Sequence, residues 1–155
     1  MSLLCLCVIE NIDKNDEILY SQQIEKISKL YGYGIKYGVD WIEPIASQIK
    51  CDSLIISITD CPTSNNCELF LLPDGWYANG QTNPLIFKER MIFLQEIASI
   101  FSTPKHTVNF YLAESGTDSK EYSETYLKSN ELVCYLTNTV GVYGINTGVH
   151  IIIIQ

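Results

Sequence analysis

Leu-Leu-Cys-Leu-Cys-Val-Ile, at positions 3–9, is the stretch that decides the fold of this chain. The polar residues 10–17 follow it directly, a pattern that predicts a β-strand inside a sheet and then a loop. Residues 54–59 are apolar and rich in β-branched side chains, and residues 108–112 alternate, so two more strands are predicted there. The isoleucines just before Gln155 indicate another strand, covered on both faces.

Apolar side chains at helical spacing separate these strands. The residues at positions 24, 27, 30 and 31 predict a first helix of about ten residues, which Ser21 is placed to cap and Gly32 to end. Asn83 and Pro84 open the clearest helix, whose apolar face continues until Pro104 stops it. Two further helices are predicted, one near residues 40–49 and a short one at residues 119–128 that Asp118 caps. Residues 33–38 are predicted to form a loop. Extended segments are predicted at residues 68–72, 132–136 and 140–145, and the last of these is expected to form a hairpin with residues 149–154.

Strands before, between and after helices predict an α+β domain with a mixed, mostly antiparallel sheet and helices packed on at least one face. With 155 residues, 46% of them hydrophobic and 18% charged, the chain is expected to form one ordered domain over residues 1–155. No apolar run approaches the roughly 18 to 20 residues that cross a bilayer. The first ten residues lack the basic start of a secretory signal, so a reduced, cytoplasmic protein with buried, mostly inert cysteines is expected.

The charge pattern indicates the kind of partner. The formal net charge is -8 and the chain contains a single arginine, Arg90. Residues 51–87 contain four carboxylates and no lysine or arginine. Nucleic-acid and phosphate binding require a basic footprint, so this composition argues against them and favours a basic protein partner.

Catalysis by a cysteine and a histidine is the main alternative to the binding of a basic protein. The segment from Cys61 to Cys67 follows a predicted strand, but a cysteine-dependent phosphatase loop requires an arginine at the position of Cys67. A small enzyme that combines Cys61 or Cys134 with His106 or His150 stays open, because such partners need to meet only in space. Zinc-ligand pairs and a dinucleotide-binding glycine pattern are missing, so neither a metal, a cofactor nor a small-molecule substrate is expected.

Two acidic segments are the candidate partner-binding residues. The first comprises Asp60, Glu68, Asp74, Trp76 and Tyr77, and the second Glu114, Asp118, Glu121 and Glu124. One interpretation is an interface in which the aromatic side chains anchor and the carboxylates steer a basic partner. The other is an ordinary solvated surface beside core aromatics.

A segment of about thirty residues resembles a known family. The sequence Glu68-Leu-Phe-Leu-Leu-Pro-Asp-Gly-Trp76, followed by Phe87-Lys-Glu-Arg90 and Phe93-Leu-Gln-Glu-Ile97, resembles a pattern in bacterial immunity proteins. Those proteins are encoded beside polymorphic or contact-dependent growth inhibition toxins. The resemblance implies a cognate toxin, often a nuclease, held inactive by stoichiometric binding. The alternatives are the small enzyme above and an adaptor that binds another protein.

Charge reversal tests the first acidic segment. Replacing Asp60, Glu68 and Asp74 by lysine is expected to slow association with the basic partner and to weaken its salt dependence, because the steering field is removed while the fold is kept. Stopped-flow association rates at several salt concentrations measure this. Equal rates for the wild type and the triple variant would place the interface elsewhere.

Overall fold

The computed structural model describes residues 3–38, 49–64, 84–114, 122–143 and 149–155. The elements are, in chain order, β1 Leu3–Ile9, α1 Lys14–Tyr31, β2 Gly34–Tyr37, β3 Leu54–Thr59, α2 Pro84–Phe101, β4 Val108–Glu114, β5 Tyr122–Leu127, a 3₁₀ turn Ser129–Glu131, α3 Leu132–Tyr143 and β6 Val149–Ile154. Within these ranges, no helix combines the length and the apolar character that a bilayer span requires.

The six described strands form one sheet in the order β2-β3-β1-β4-β6-β5. Four of the five neighbouring pairs are antiparallel, and only β5 and β6 run parallel. Helices pack on this sheet. The predicted α+β class, with a mixed and mostly antiparallel sheet, is therefore confirmed.

Strand β1 is buried on both faces of the sheet. Cys5, Cys7 and Ile9 join the larger core, which also contains side chains of all three helices. Leu6 and Val8 alternate to the opposite face and pack in a second cluster. A strand with core on both sides needs an apolar residue at every position, which explains why the sequence of β1 is apolar throughout. Burial of each such side chain contributes about 1.5–3 kcal/mol to the stability of the fold.

Helix α1 begins earlier than predicted. Asp13 caps it, since its side chain accepts a hydrogen bond of 2.8 Å from the backbone N–H of Asp16. Acidic residues in the first turn are further stabilised by the helix dipole. The predicted loop over residues 14–17 and the predicted cap at Ser21 are therefore wrong. Gly32 ends the helix in the left-handed conformation, with φ of 81°, as predicted.

Three other predictions are wrong. Residues 34–37 are strand β2 and not a loop, because they pair antiparallel with β3. Residues 122–127 are strand β5 and not the short helix, because they pair in parallel with β6. Residues 132–143 are helix α3 and not extended, since Leu132 and Leu136, one helical turn apart, are both buried in the core.

The other predicted elements divide into two groups. Strands β1, β3, β4 and β6 and helix α2 occur where the sequence predicts them. Residues 40–48 of the helix predicted near residues 40–49, the strand at residues 68–72, the cap at Asp118 and the turn of the last hairpin lie outside the described residues.

Gly34 is predicted to tolerate no side chain. A Cβ atom at this position would lie 2.5 Å from the carbonyl oxygen of Cys61 and 2.9 Å from Cα of Pro62. Gly34→Ala should therefore lower the free energy of unfolding by about 2–3 kcal/mol, because backbone atoms must move. Urea unfolding measures this.

Gly32→Ala is the control for that variant. Gly32 has a positive φ, but a Cβ there would meet no atom within 4 Å. Only the conformational cost of about 1 kcal/mol is expected. An equal or smaller loss for Gly34→Ala would contradict the close contact between β2 and the turn after β3.

Candidate functional site

An open cleft of about 360 Å³ lies between α1 and the neighbouring part of β2 and β3. Its described lining residues are Glu17, Ser21, Glu25, Tyr37, Gly38, Ser53, Leu54 and Ile55. Two of them are glutamates, and none of them is lysine or arginine.

The helical periodicity of α1 places three of its polar residues along the cleft. Glu17, Ser21 and Glu25 are spaced four residues apart and therefore lie on one side of the helix. The adjacent side of the helix carries Ile24 and Ser28, which are buried. The three polar residues thus follow the edge where α1 meets the sheet, and both glutamates are exposed.

Tyr37 closes one end of the cleft. Its hydroxyl donates a hydrogen bond of 2.5 Å to Oε1 of Glu25. Burial of the ring and this bond to a carboxylate raise the pKa of Tyr37 to about 12. The Tyr37 hydroxyl is therefore a protonated donor at neutral pH and holds the Glu25 carboxylate in place.

Strand β3 and its approach form the opposite wall. Leu54 and Ile55 both border the cleft, but Leu54 is only 3% exposed and packs in the larger core, whereas Ile55 packs against the second cluster on the opposite face of the sheet. The backbone N–H of Gly38 donates to the carbonyl of Ile55 at 3.1 Å and fixes the end of β2 against this wall. Oγ of Ser53 is shielded from solvent and has no hydrogen-bond partner among the described residues.

This arrangement suits a cationic group, because the two exposed glutamates attract positive charge and no lysine or arginine lines the cleft. No protein family, curated protein sequence or solved structure matched this chain. The function has therefore to be inferred from the chain's own residues.

The predicted partner-binding residues that the structure describes, Asp60, Glu114 and Glu124, do not line this cleft. Asp60 follows β3 and is half-buried, with Oδ1 shielded from solvent and without a partner among the described residues. Glu124 is exposed on β5 and accepts a hydrogen bond of 3.0 Å from the hydroxyl of Tyr126. Three strands separate β3 from β5, which places these two strands about 19 Å apart across the sheet. Asp60 and Glu124 therefore do not belong to one patch.

Of the other seven predicted partner-binding residues, the structure describes Glu114, which is the last residue of β4. Glu68, Asp74, Trp76, Tyr77, Asp118 and Glu121 lie outside the described residues. Sequence reasoning missed Glu17, Glu25, Tyr37 and Ser53. Had α1 been started at Lys14, the four-residue spacing of Glu17, Ser21 and Glu25 would have indicated a polar stripe.

Both histidines make contacts that connect neighbouring segments of the fold. His106 is 3% exposed, and its Nε2 lies 3.4 Å from Oδ2 of Asp16 while Nδ1 lies 3.4 Å from the carbonyl oxygen of Glu10. These contacts join the segment before β4 to α1 and to the residue that follows β1. Nδ1 of His150 lies 3.0 Å from Oγ of Ser123 and joins β6 to β5.

The described cysteines and acidic residues form no metal-binding cluster. Burial raises the pKa of the Cys7 thiol, and the neighbouring Cys5 adds to this effect, so Cys7 remains a protonated core residue. Sγ of Cys61 lies 3.5 Å from Oγ1 of Thr63. Over the described ranges, no group of three or more histidine, cysteine or acidic residues is arranged to hold a metal ion.

Tyr37→Phe is expected to give a pH-dependent loss of stability. The pKa of Tyr37 is raised from 10.0 to about 12 in the folded protein, so its hydrogen bond stabilises the fold fully below pH 10 and is lost as the pH rises through 12. Because the side chain is 44% exposed, the variant should lose only about 0.5 kcal/mol at neutral pH.

Urea unfolding of the wild type and the variant from neutral pH to pH 11 measures this. The difference between the two proteins should shrink above pH 10. A difference that stays constant up to pH 11 would contradict the bond between Tyr37 and Glu25.

Proposed function

We propose that this chain is a cytoplasmic, non-enzymatic immunity protein that neutralises a cognate basic toxin, such as a nuclease, by stoichiometric binding. The observation that carries the proposal is the cleft beside α1. Its described lining contains two exposed glutamates and Tyr37 and no lysine or arginine. A basic protein that places a cationic side chain there gains charge attraction.

The overall charge supports the same kind of partner. A nuclease needs positive charge to hold its phosphate substrate, so an inhibitor with a net charge of -8 is electrostatically complementary to it. Complementary charges raise the rate of encounter, which is useful to a protein that must capture a toxin before the toxin acts.

The surface beside the cleft favours a protein over a small solute. Ile18 is 61% exposed on α1, and it lies on the same side of the helix as Glu25, seven residues later. Tyr37 is also exposed at the rim. Exposed apolar and aromatic side chains next to carboxylates are typical of protein interfaces.

Co-expression tests the proposal. The gene directly upstream in the native genome is expected to encode the toxin, and co-expression of this chain should restore growth to cells that produce it. Purified together, the two proteins should form a one-to-one complex, measured by size-exclusion chromatography with light scattering. Absence of both protection and complex formation would refute the immunity function. A complex without protection would favour the adaptor instead.

A matched pair of variants locates the interface. Glu25→Lys and Glu124→Lys change the charge equally, and each removes a carboxylate that accepts a hydrogen bond from a tyrosine hydroxyl. Glu25→Lys should slow association with the toxin by about tenfold at low salt, and Glu124→Lys by much less. The reverse order would assign the interface to the acidic segment around β5.

A further inference from the structure

Strand β5 forms one edge of the described sheet and presents backbone hydrogen-bonding groups there. Leu127 accepts a hydrogen bond of 2.8 Å from the backbone N–H of Gln155, just after β6, so its backbone groups face β6. Because these groups alternate along a strand, those of Thr125 also face β6, and those of Glu124 and Tyr126 face away. Among the residues that the structure describes, nothing pairs with the backbone N–H and C=O groups of Glu124 and Tyr126.

Strand β5 lacks the features that usually protect an exposed edge. Natural edge strands are short or carry lysine, proline or a β-bulge, which prevent other strands from pairing with them. The strand at the opposite edge, β2, has only four residues and contains Lys36. Strand β5 has six residues without lysine, proline or glycine, pairs with β6 in continuous register and carries one charged side chain, Glu124. This edge therefore favours the addition of another strand.

We infer that two copies of this chain pair through β5, antiparallel to each other and about a two-fold axis at Thr125. Glu124 of each copy then lies opposite Tyr126 of the other copy. In an antiparallel ladder such a pair exchanges both N–H···O bonds, so the outward backbone groups of both residues are satisfied. The same surface meets itself across the axis, and the two sheets become continuous.

The side chains of β5 select this register. An axis at Glu124 would place two carboxylates directly opposite each other, which is unfavourable. An axis at Ser123 would pair only residues 122–124 of β5 with each other. With the axis at Thr125, residues 123–127 of both copies pair, and each Glu124 lies opposite a tyrosine on the same face of the sheet.

Tyr126 already makes the side-chain contact that this pairing uses. Its hydroxyl donates a hydrogen bond of 3.0 Å to Oε2 of Glu124 in the same strand, and the residue is 55% exposed. The bond to this carboxylate raises the pKa of Tyr126, so the hydroxyl is a donor at neutral pH. In the dimer, the same hydroxyl can donate to Glu124 of the other copy, and the exposed ring becomes covered.

The dimer does not depend on the proposed function and leaves the cleft accessible. The cleft lies beside β2, at the opposite edge of the described sheet from β5. Each copy can therefore bind one basic partner, which keeps the ratio at one to one. Salt separates the two interactions: screening weakens the attraction of a basic partner, but it relieves the repulsion between two copies that each have a net charge of -8.

Analytical ultracentrifugation of the full chain tests the inference. The wild type should form a dimer with a dissociation constant on the order of 10–100 µM, as expected for a small interface made mainly of backbone bonds. Raising the NaCl concentration from about 50 mM to about 500 mM should strengthen the dimer about threefold or more. A monomer at all concentrations up to about 1 mM, or a dimer that salt weakens, would overturn the inference.

Two substitutions at Glu124 provide the matched comparison. Each removes one negative charge, but Glu124→Pro also removes the outward N–H, whereas Glu124→Gln keeps it. Proline is tolerated in an edge strand where the N–H faces solvent. Glu124→Pro should weaken the dimer at least about tenfold relative to Glu124→Gln. Equal dissociation constants for the two variants, with circular dichroism showing that both are folded, would place the dimer contact elsewhere and overturn the inference.

Cross-linking tests the register and does not require the proline variant to fold. Thr125→Cys places two thiols at the axis, where the Cα atoms of a non-hydrogen-bonded pair are about 4.5 Å apart, a distance that suits a disulfide. Ser123→Cys places the two thiols about 13 Å apart. After mild oxidation with diamide, non-reducing gel electrophoresis should show a covalent dimer for Thr125→Cys and only the wild-type background for Ser123→Cys. Equal cross-linking of the two variants would contradict the axis at Thr125.

A strand of another protein is the competing occupant of this edge. The chain would then be monomeric alone, and the amides of β5 would become protected from hydrogen exchange only when the basic partner is added. That result would assign the edge to the partner and overturn the dimer. Co-expression tests the immunity function separately, so failure of either proposal leaves the other standing.

Discussion

The burial of β1 on both faces is the constraint on which the rest of the described structure depends. Leu6, Val8 and Ile9 are fully buried, so this strand cannot lie at an edge or face solvent. It pairs with β3 on one side and β4 on the other, and both partners are antiparallel to it. These two pairings fix the register of the sheet centre, since a shift by one residue would exchange the two faces of every strand.

The cleft is a consequence of that arrangement. Strand β3 is held against β1, β2 is held against β3, and α1, which follows β1 and precedes β2 in the chain, packs on the sheet through Ile24. Tyrosine hydroxyls bonded to glutamates complete the assembly: Tyr37 joins β2 to α1, and Tyr33 donates to Glu89 of α2 at 2.9 Å. The pKa of Tyr33 is raised by burial and then by this bond, so its hydroxyl is also a donor at neutral pH. The carboxylate at the cleft is thus positioned by the fold itself.

The sequence predicts correctly the helices and strands that local residue patterns determine. The predictions are wrong where pairing with a distant strand determines the secondary structure. Apolar runs identify β1, β3 and β6, and Asn83, Pro84 and Pro104 delimit α2. Strand β2 contains a glycine that indicates a turn, and it is a strand only because it pairs with β3. Strand β5 is polar and alternating, and its parallel pairing with β6 overrides its helical appearance. The site was missed for a local reason: starting α1 at Ser21 left Glu17 outside the helix, so the polar stripe was not apparent.

Hydrogen exchange with and without the toxin tests the central claim, that the basic partner binds at the cleft between α1 and β2–β3. Amides of β1 should exchange slowly in both states and serve as an internal reference, because they open only with the whole fold. Complex formation should slow exchange in residues 17–25, 37–38 and 53–55. Added protection confined to β5, at Tyr122–Leu127, with none at the cleft, would contradict this account.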